Sequence, residues 1–450
     1  MVNWTEAQQQ AIEARGCNLL VAAAAGSGKT AVLVERIIQM IVKDKIDIDR
    51  LLIVTFTNAA AGEMRERISA AIMAELEKNN ANELHLKRQL NLLNHASIST
   101  IHAFCTEIIR RYFHIINIDP KFRIGDSTET ELIKLEALEE LFEAEYEKNS
   151  SYFLGLVEMF SSSKSDEGLQ ELVINLYEFI QSQPYPGQWL HERIKDFNMN
   201  MDEIIICPWV QTIRQQFIIQ LHAARDIFNQ ALDLINQPGG PVDYAEALTG
   251  DISITDELIA ALNTSIFSFY NKLPEIQHPR LKRAAKDADQ AIIDQVKGLR
   301  DEGKSIITEM KKQGFKGNPE EYVKDLNELY PYMTYLYEIT ETFQHIYSEK
   351  KHDKGIVDFN DLEHYALEIL ADEKVAGEYR DQFEYIFIDE YQDSNLVQET
   401  ILNFIKRDNN FFMVGDVKQS IYRFRLADPS LFITKYKQFM DQEGALNRRI

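Results

Sequence analysis

Three stretches, far apart in the chain, carry residues whose types and spacing fit phosphate chemistry. The first is AAAGSGKT (23–30), the pattern G-x-x-x-x-G-K-[ST] with Ala23 in place of the first glycine. The small residues Ala23, Ala24, Ala25, Gly26, Ser27 and Gly28 let the backbone curl so that successive N–H groups point inward at phosphate oxygens. Lys29 then reaches the β- and γ-phosphates, and Thr30 places its hydroxyl on Mg²⁺. The stretch lies between an apolar run, CNLLVAA (17–23), and a helical pattern, so a helix N-terminus adds its positive dipole end. The plain alternative is a small-residue turn between a strand and a helix.

The second stretch, EYIFIDEYQD (384–393), is an apolar run ending in two carboxylates. Asp389 can hold Mg²⁺ directly or through water, and Glu390 can orient and deprotonate an attacking water. Read alone, the segment is also an ordinary solvated acidic turn. A hydrolase built on a phosphate loop sets such a carboxylate strand beside the phosphate strand, which is the expectation here. The third stretch, NFFMVGDVKQSIYRF (410–424), follows an apolar run with Gly415, Asp416 and Gln419. The Gln419 amide can donate to a γ-phosphate oxygen. Tyr422 and Phe424, two apart, face one way in an extended chain, where an aromatic can stack a base for about 1–3 kcal/mol. The alternative is that both rings are core, which is the preferred reading for Tyr422 and an open one for Phe424.

Elements able to position these residues follow from the apolar pattern. Apolar runs at 17–23, 50–56 and 97–101, with helical patterns at Ala31–Lys43 and Ala59–Leu76, predict a parallel sheet covered on both faces. From about 121 to 350 helical periodicity dominates, broken by turn clusters at 181–187 and 236–241. Strand signals return at 384–390 and 410–416. The simplest architecture is one α/β domain, 1–120 with 351–450, interrupted by a helical domain at 121–350.

The chain has 450 residues, 45% hydrophobic and 26% charged, as in soluble globular proteins. No apolar run reaches the roughly 18–20 residues of a membrane span, and MVNWTEAQQQ lacks the basic and apolar regions of a signal peptide. Cys17, Cys105 and Cys207 are too scattered for a disulfide framework or a zinc pattern, and a cytosolic protein with no membrane contact is expected. The formal net charge is −23, with 13 Lys+Arg against 13 Asp+Glu in 1–120, 22 against 39 in 121–350 and 13 against 19 in 351–450. That balance argues against a DNA-coating protein but leaves room for a short basic track. Within the acidic middle, HPRLKRAAK (278–286) and MKKQGFK (310–316) are either phosphate-contacting pieces or ordinary solvated faces.

Taken together the motifs resemble superfamily 1A DNA helicases of the UvrD/Rep type, and within them the RecB-related AddA-type chains of AddAB helicase–nucleases. The resemblance rests on WTEAQQQAI (4–12), AAAAGSGKTAVLVERI (22–37), IVTFTNAAAGEMRERI (53–68), STIHAFC (99–105), VDFNDLEHYA (357–366), FIDEYQDSN (387–395) and GDVKQSIYRFRLADPSLF (415–432), all in the family's order. It implies a RecA-like motor domain, 1–120 with 351–450, and an inserted 1B domain at 121–350. It implies ATP and Mg²⁺ as cofactors. Gln8 matches the adenine-reading glutamine, Lys29 and Thr30 the phosphate and Mg²⁺ ligands, Asp389 the metal carboxylate, Glu390 the catalytic base, and Gln419 the residue coupling ATP to DNA. Phe56, Asn58, Thr100, His102 and Phe424 match positions that contact single-stranded DNA. For Phe56 a core role stays open, and for His102 a helix-capping or carbonyl-bonding role.

By the same resemblance the activity is 3′-to-5′ DNA unwinding, within a helicase–nuclease that processes DNA double-strand breaks for recombinational repair. The partners implied are single-stranded DNA, duplex ends and an AddB-type protein. A second motor domain with its arginine residues, and a nuclease domain, are expected beyond GALNRRI. A motor lacking its arginine finger loses about 10³–10⁵ in rate, so little motor activity is expected of these 450 residues alone. The competing readings are a stand-alone UvrD-like repair helicase and a non-catalytic nucleotide-binding module. A metabolic phosphate-loop kinase fits less well, because it leaves TFTNAAA and QSIYRF without a purpose.

Overall fold

A computed structural model describes residues 3–78, 82–161, 165–313, 319–421 and 426–450. The strands are β1 (Asn18–Ala22), β2 (Leu51–Thr55), β3 (Ser97–Thr100), β4 (Arg123–Ile124), β5 (Ile356–Val357), β6 (Tyr385–Ile388), β7 (Phe411–Gly415) and β8 (Asn447–Arg449). Six of them form one parallel sheet in the order β3-β2-β6-β7-β1-β8, and the two-residue strands β4 and β5 pair with each other. The five strand signals read from the sequence all become strands of that sheet, so the parallel α/β architecture holds. β2 and β7 are buried at every residue, which is why they read as unbroken apolar runs rather than alternating ones.

The side-chain alternation of the strands divides the core in two. Leu19, Val21, Ile53, Phe387, Phe412 and Val414 face the helices Lys29–Gln39 and Asn58–Lys78. Leu20, Leu52, Val54, Ile388 and Met413 face Ile101–Tyr112, Phe359–Leu370 and Leu396–Ile405. The helix Lys29–Gln39 buries Arg36, whose guanidinium donates to the carbonyls of Ala11 (2.7 Å) and Ile12 (3.3 Å) and lies 4.7 Å from the Phe412 ring centroid. Burial lowers the Arg36 pKa to about 9. That contact fastens the N-terminal helix Glu6–Glu13, which carries Gln8, to the sheet.

Two features differ from expectation. The carboxylate strand β6 does not adjoin the phosphate strand β1, because β7 lies between them and pairs with both. The end of β7 shows how the gap is bridged. A Cβ on Gly415 would lie 2.4 Å from Gln392 Oε1 and 2.9 Å from Phe432, so the bare glycine lets the loop after β6 fold across the tip of β7 toward β1. The second difference is the edge strand β8, which pairs with β1 from Asn447 to Arg449.

The chain divides into two compact units, Met1–Leu190 with Leu336–Ile450, and His191–Tyr335. The first holds the whole sheet together with the helices Ser127–Lys148, Ser151–Phe160 and Glu167–Ile180. Those helices fall inside the 121–350 span expected for the insertion. They are held to the sheet unit by aromatic packing of Tyr177 on Phe343 and Tyr347, and by the β4–β5 pairing. The second unit is helical, cored by Phe217, Leu221, Phe228, Leu258, Leu262 and Phe269, with a buried Asp251 held by Arg300 and His278. No helix among the described residues is long and apolar enough to cross a membrane.

Gly415→Ala is expected to destabilise the fold by about 1–3 kcal/mol through overpacking. Phe412→Ala is expected to cost about 3–5 kcal/mol. Urea unfolding reads both; an unchanged midpoint for Gly415→Ala would mean that Gln392 does not need the gap.

Candidate functional site

Parallel strands place all their carboxyl ends on one edge, and in open α/β sheets ligands bind there. The loop after β1 turns through two left-handed glycines, Gly26 (φ 74°) and Gly28 (φ 81°), into the helix Lys29–Gln39. Glycine makes that conformation available without strain. Two N–H groups of the loop are taken by the fold itself: Ala23 donates to Gly415 O (3.1 Å) and Ser27 to Ala24 O (3.2 Å). Ala23 therefore differs from the phosphate donor it was expected to be, since its N–H continues the β1–β7 pairing. The first N–H groups of the helix, at Lys29 and Thr30, have no intrahelical acceptor. Ser27 Oγ is buried and has no hydrogen-bond partner among the described residues.

Gln8 stands against this loop. Its Nε2 donates to Ser27 O (2.9 Å), while its Oε1 accepts from Thr5 N–H (2.9 Å) in a capping box at the start of Glu6–Glu13. A primary amide has two donors and two lone pairs, so one of each is left for a base edge.

Lys29 Nζ lies 3.4 Å from Glu390 Oε2, with the lysine side chain 9% and the glutamate 38% exposed. Glu390 has left-handed backbone (φ 52°, ψ 44°), a conformation that costs a non-glycine residue on the order of 1–3 kcal/mol. It turns the chain sharply after β6 and sets two carboxylates side by side. Burial, then the neighbouring Glu390 carboxylate, push the Asp389 pKa up to about 6, against the pull of the Glu390 N–H and Lys29. A doubly negative, partly desolvated pair of this kind is relieved by a bound cation. Among the described residues no cluster of three or more acidic, His or Cys side chains forms a metal cage of its own. One or two carboxylates completed by phosphate oxygens and water is the usual surrounding of Mg²⁺.

Gln392, only 1% exposed, joins the pieces, and sequence reasoning gave it no role. Its Nε2 donates to Glu390 Oε2 (2.8 Å) and Asp393 Oδ2 (3.2 Å), and its Oε1 accepts from Asp416 N–H (2.9 Å). Asp416 in turn accepts from Gln419 Nε2 (2.6 Å), which holds the Asp416 carboxyl below its usual range. Lys29, Asp389, Glu390 and Gln419 thus belong to one connected polar group at the ends of β1, β6 and β7. Glutamine in an acidic motif carries no chemistry of its own, which is why spacing alone did not single out Gln392.

The residues expected to touch DNA lie on the same edge, after β2 and β3. Asn58 is exposed at the start of Asn58–Lys78, and Phe56 is half-buried. Thr100 caps the helix Ile101–Tyr112, its Oγ1 accepting from Ala103 N–H (3.3 Å). Its position is fixed by this structural bond, although it also borders a cavity of about 590 Å³ with Asn58, His102, Thr106, Arg110 and Phe359. His102, 34% exposed, donates from Nε2 to Glu363 Oε1 (3.1 Å) and meets the Phe359 ring edge-on at 5.0 Å. A second cavity of about 480 Å³ runs from Phe56, His102 and Phe359 to Asp389 and Glu390. Phe424, and Tyr422 beside it, lie outside the described residues.

Two further residues of this edge were not found from the sequence. Phe359 is 55% exposed, a large ring left in solvent beside His102. Arg110 falls eight residues after His102 on the same helix face; its guanidinium stands 5.6 Å from the Phe122 ring centroid, and no carboxylate among the described residues pairs with it. Spacing by four from His102 through Thr106 to Arg110 is the signal that was available. Of the two basic pieces, 278–286 is partly engaged, His278 with Asp251 and Lys282 with Glu246, while Arg280 and Arg283 are exposed. The other, 310–316, falls partly outside the described residues.

Comparison with known proteins identifies the family. The family described as the UvrD/REP helicase N-terminal domain is matched over residues 4–440. The chain is 59% identical over 450 residues to the A chain of the ATP-dependent helicase/nuclease of Alkaliphilus metalliredigens, covering all of this chain and 38% of that protein. It is 58% identical to the protein of the same name in Alkaliphilus oremlandii, again over 38% of its length. For that of Syntrophomonas wolfei the identity is 57%, over 36% of its length. The chain thus spans between a third and two fifths of the length of the curated relatives it matches. With the family matched across almost the whole sequence, and its motifs gathered on one sheet edge, the chain belongs to the UvrD/REP helicase N-terminal domain family.

Proposed function

We propose that this chain is the ATP-binding motor portion of a DNA helicase, the AddA-type component of a helicase–nuclease that processes double-strand breaks for recombinational repair with an AddB-type partner. The observation that carries the reading is the Lys29–Glu390 pair at 3.4 Å, with Asp389 beside it and Gln419 joined to it through Asp416 and Gln392. The relatives named as components of a helicase/nuclease support the choice of enzyme, and the 3′-to-5′ direction is taken from the family resemblance.

The residues fit a nucleoside triphosphate and Mg²⁺. The orphaned Ser27 hydroxyl, the left-handed glycines and the helix N–H groups at Lys29 and Thr30 make a cradle for an anion. Lys29 and Thr30 hold phosphate and metal, Asp389 the metal, and Gln8 the base. When bound, ATP supplies the phosphoanhydride and Mg²⁺ the positive charge that offsets the oxyanions. Glu390 takes the proton of the attacking water, held in place by Gln392. For that task the Glu390 ion pair with Lys29 would have to open, which would leave the lysine free to hold a phosphate. Gln419 reads the γ-phosphate. The 1A motor domain comprises 1–120 with 351–450 and the 1B domain 121–350.

Single-stranded DNA lies along the same edge, on Asn58, Thr100 and His102, with Phe56, Phe359 and Phe424 as rings for bases. Arg110 extends the track to one more phosphate. In a chain of net charge −23, a polyanion needs such local contacts, and Arg110 is the cation this track offers beside the Glu107 carboxylate.

Lys29→Ala is expected to lower affinity for Mg²⁺ with a non-hydrolysable ATP analogue at least about tenfold, as loss of a charge-assisted bond of about 1.5–3 kcal/mol requires. In the full-length enzyme, Glu390→Gln is expected to keep that affinity and slow DNA-dependent single-turnover hydrolysis by about 10²–10⁴-fold. Unchanged hydrolysis would remove Glu390 from the role of base. Arg110→Ala is expected to weaken oligothymidylate binding and lower its salt slope by about 1; an unchanged slope would place the phosphate track elsewhere.

A further inference from the structure

Glu363 is a carboxylate with 3% exposure on the helix Phe359–Leu370, inside the sheet unit. Taking an ion out of water is costly unless its lone pairs are met. Here they are met by three side chains from two other elements. His102 Nε2, on the helix after β3, lies 3.1 Å from Oε1. Gln398 Nε2 donates to the same oxygen (2.7 Å), and Asn395 Nδ2 donates to Oε2 (3.1 Å).

The other two donors come from the segment that follows the carboxylate turn. Asn395 follows Glu390 by five residues, all of 391–395 are buried, and Asn395 caps the helix Leu396–Ile405 through Gln398 N–H (2.8 Å). Phe359, four residues before Glu363 on the same helix face, holds the other side of the His102 ring. One carboxylate therefore fixes the orientation of a solvent-facing imidazole on the DNA side and the segment leaving the carboxylate turn on the nucleotide side.

We propose that Glu363 is a positioning residue: it orients His102 toward single-stranded DNA and ties it to Asn395 and Gln398, so that nucleotide and DNA affinities depend on each other through this bond set. The inference rests on the functional reading above. Glu363, at 3% exposure and with its oxygens already taken, acts through its partners: a displacement of the loop after Glu390 shifts Asn395 and Gln398, and the shared Oε1 passes that shift to His102.

The test is a thermodynamic cycle. Affinity for a fluorescent oligothymidylate is measured with and without Mg²⁺ and a non-hydrolysable ATP analogue, and by linkage the same factor must appear in the analogue's affinity. Wild type is expected to give a factor of about 5 or more. Glu363→Gln, which keeps the shape but loses the charge, is expected to bring it close to 1 while analogue affinity without DNA stays within about twofold, a change worth under half a kcal/mol. His102→Ala is expected to lose the same factor, and the double variant no more than either single one, as a chain of action requires. Should Glu363→Gln unfold, Gln398→Ala is expected to reproduce the loss. A wild-type factor of 1, a factor untouched in Glu363→Gln or Gln398→Ala, or additive losses in the double variant overturn the proposal while leaving both ligands bound. Absence of analogue or oligothymidylate binding by wild type instead overturns the functional reading.

Discussion

The ion pair between Lys29 and Glu390 closes a separation of 361 residues, and the rest of the site follows from that closure. For the two side chains to meet, β1 and β6 must end at the same edge, which a parallel sheet guarantees and an antiparallel one does not. The strands that achieve this come from the first 120 and the last 100 residues, with the long helical span left to fold outside the sheet. Once that edge exists, the helix dipole after β1, the carboxylate turn after β6 and the polar segment after β7 converge without further design. The pair also keeps a strongly basic and a strongly acidic group matched before any ligand arrives, at partial burial where neither would be comfortable alone.

Around this pair the site is kept under tension. Asp389 and Glu390 are adjacent carboxylates, and burial together with the second charge raises Asp389 to about 6. Glu390 sits in a left-handed conformation that the surrounding hydrogen bonds impose. The charge pair stores unfavourable energy that a bound cation would relieve, while the left-handed backbone holds the two carboxylates side by side. Gln392 transmits the geometry, since one buried amide binds the Glu390 carboxylate on one side and the backbone leading to Gln419 on the other. The bare Gly415 gives that amide its room.

Much of this was legible in the sequence, for reasons that can be named. Strands buried on both faces appear as compact apolar runs, so β1, β2, β6 and β7 stood out, while β3 (SIST) showed only as a short β-branched stretch of alternating burial, and parallel order follows from their alternation with helices. The order of the strands was not legible: nothing local in NFFMVGD says that it inserts between β1 and β6. β8 was hidden because Asn447–Arg449 is polar and charged, and it pairs through the backbone at the sheet edge. Ala23 looked like a phosphate donor because motifs give spacing and not hydrogen-bond partners; its N–H belongs to the sheet. Phe359 was missed because it is an ordinary residue on a helix until the fold brings it beside His102, and Arg110 because its spacing of eight from His102 along one helix face was not followed.

The central claim is that Lys29, Asp389 and Gln419 serve one bound triphosphate. It is tested most directly by a crystal structure of the protein with Mg²⁺ and a non-hydrolysable ATP analogue. The account predicts a single nucleotide with Lys29 on its terminal phosphates, its metal on the Asp389 and Thr30 side, and the Gln419 amide within hydrogen-bond reach of the γ-phosphate. A nucleotide bound away from the loop at 23–30, or one that Lys29 holds while Asp389 and Gln419 stay out of reach of its phosphates and metal, would contradict it.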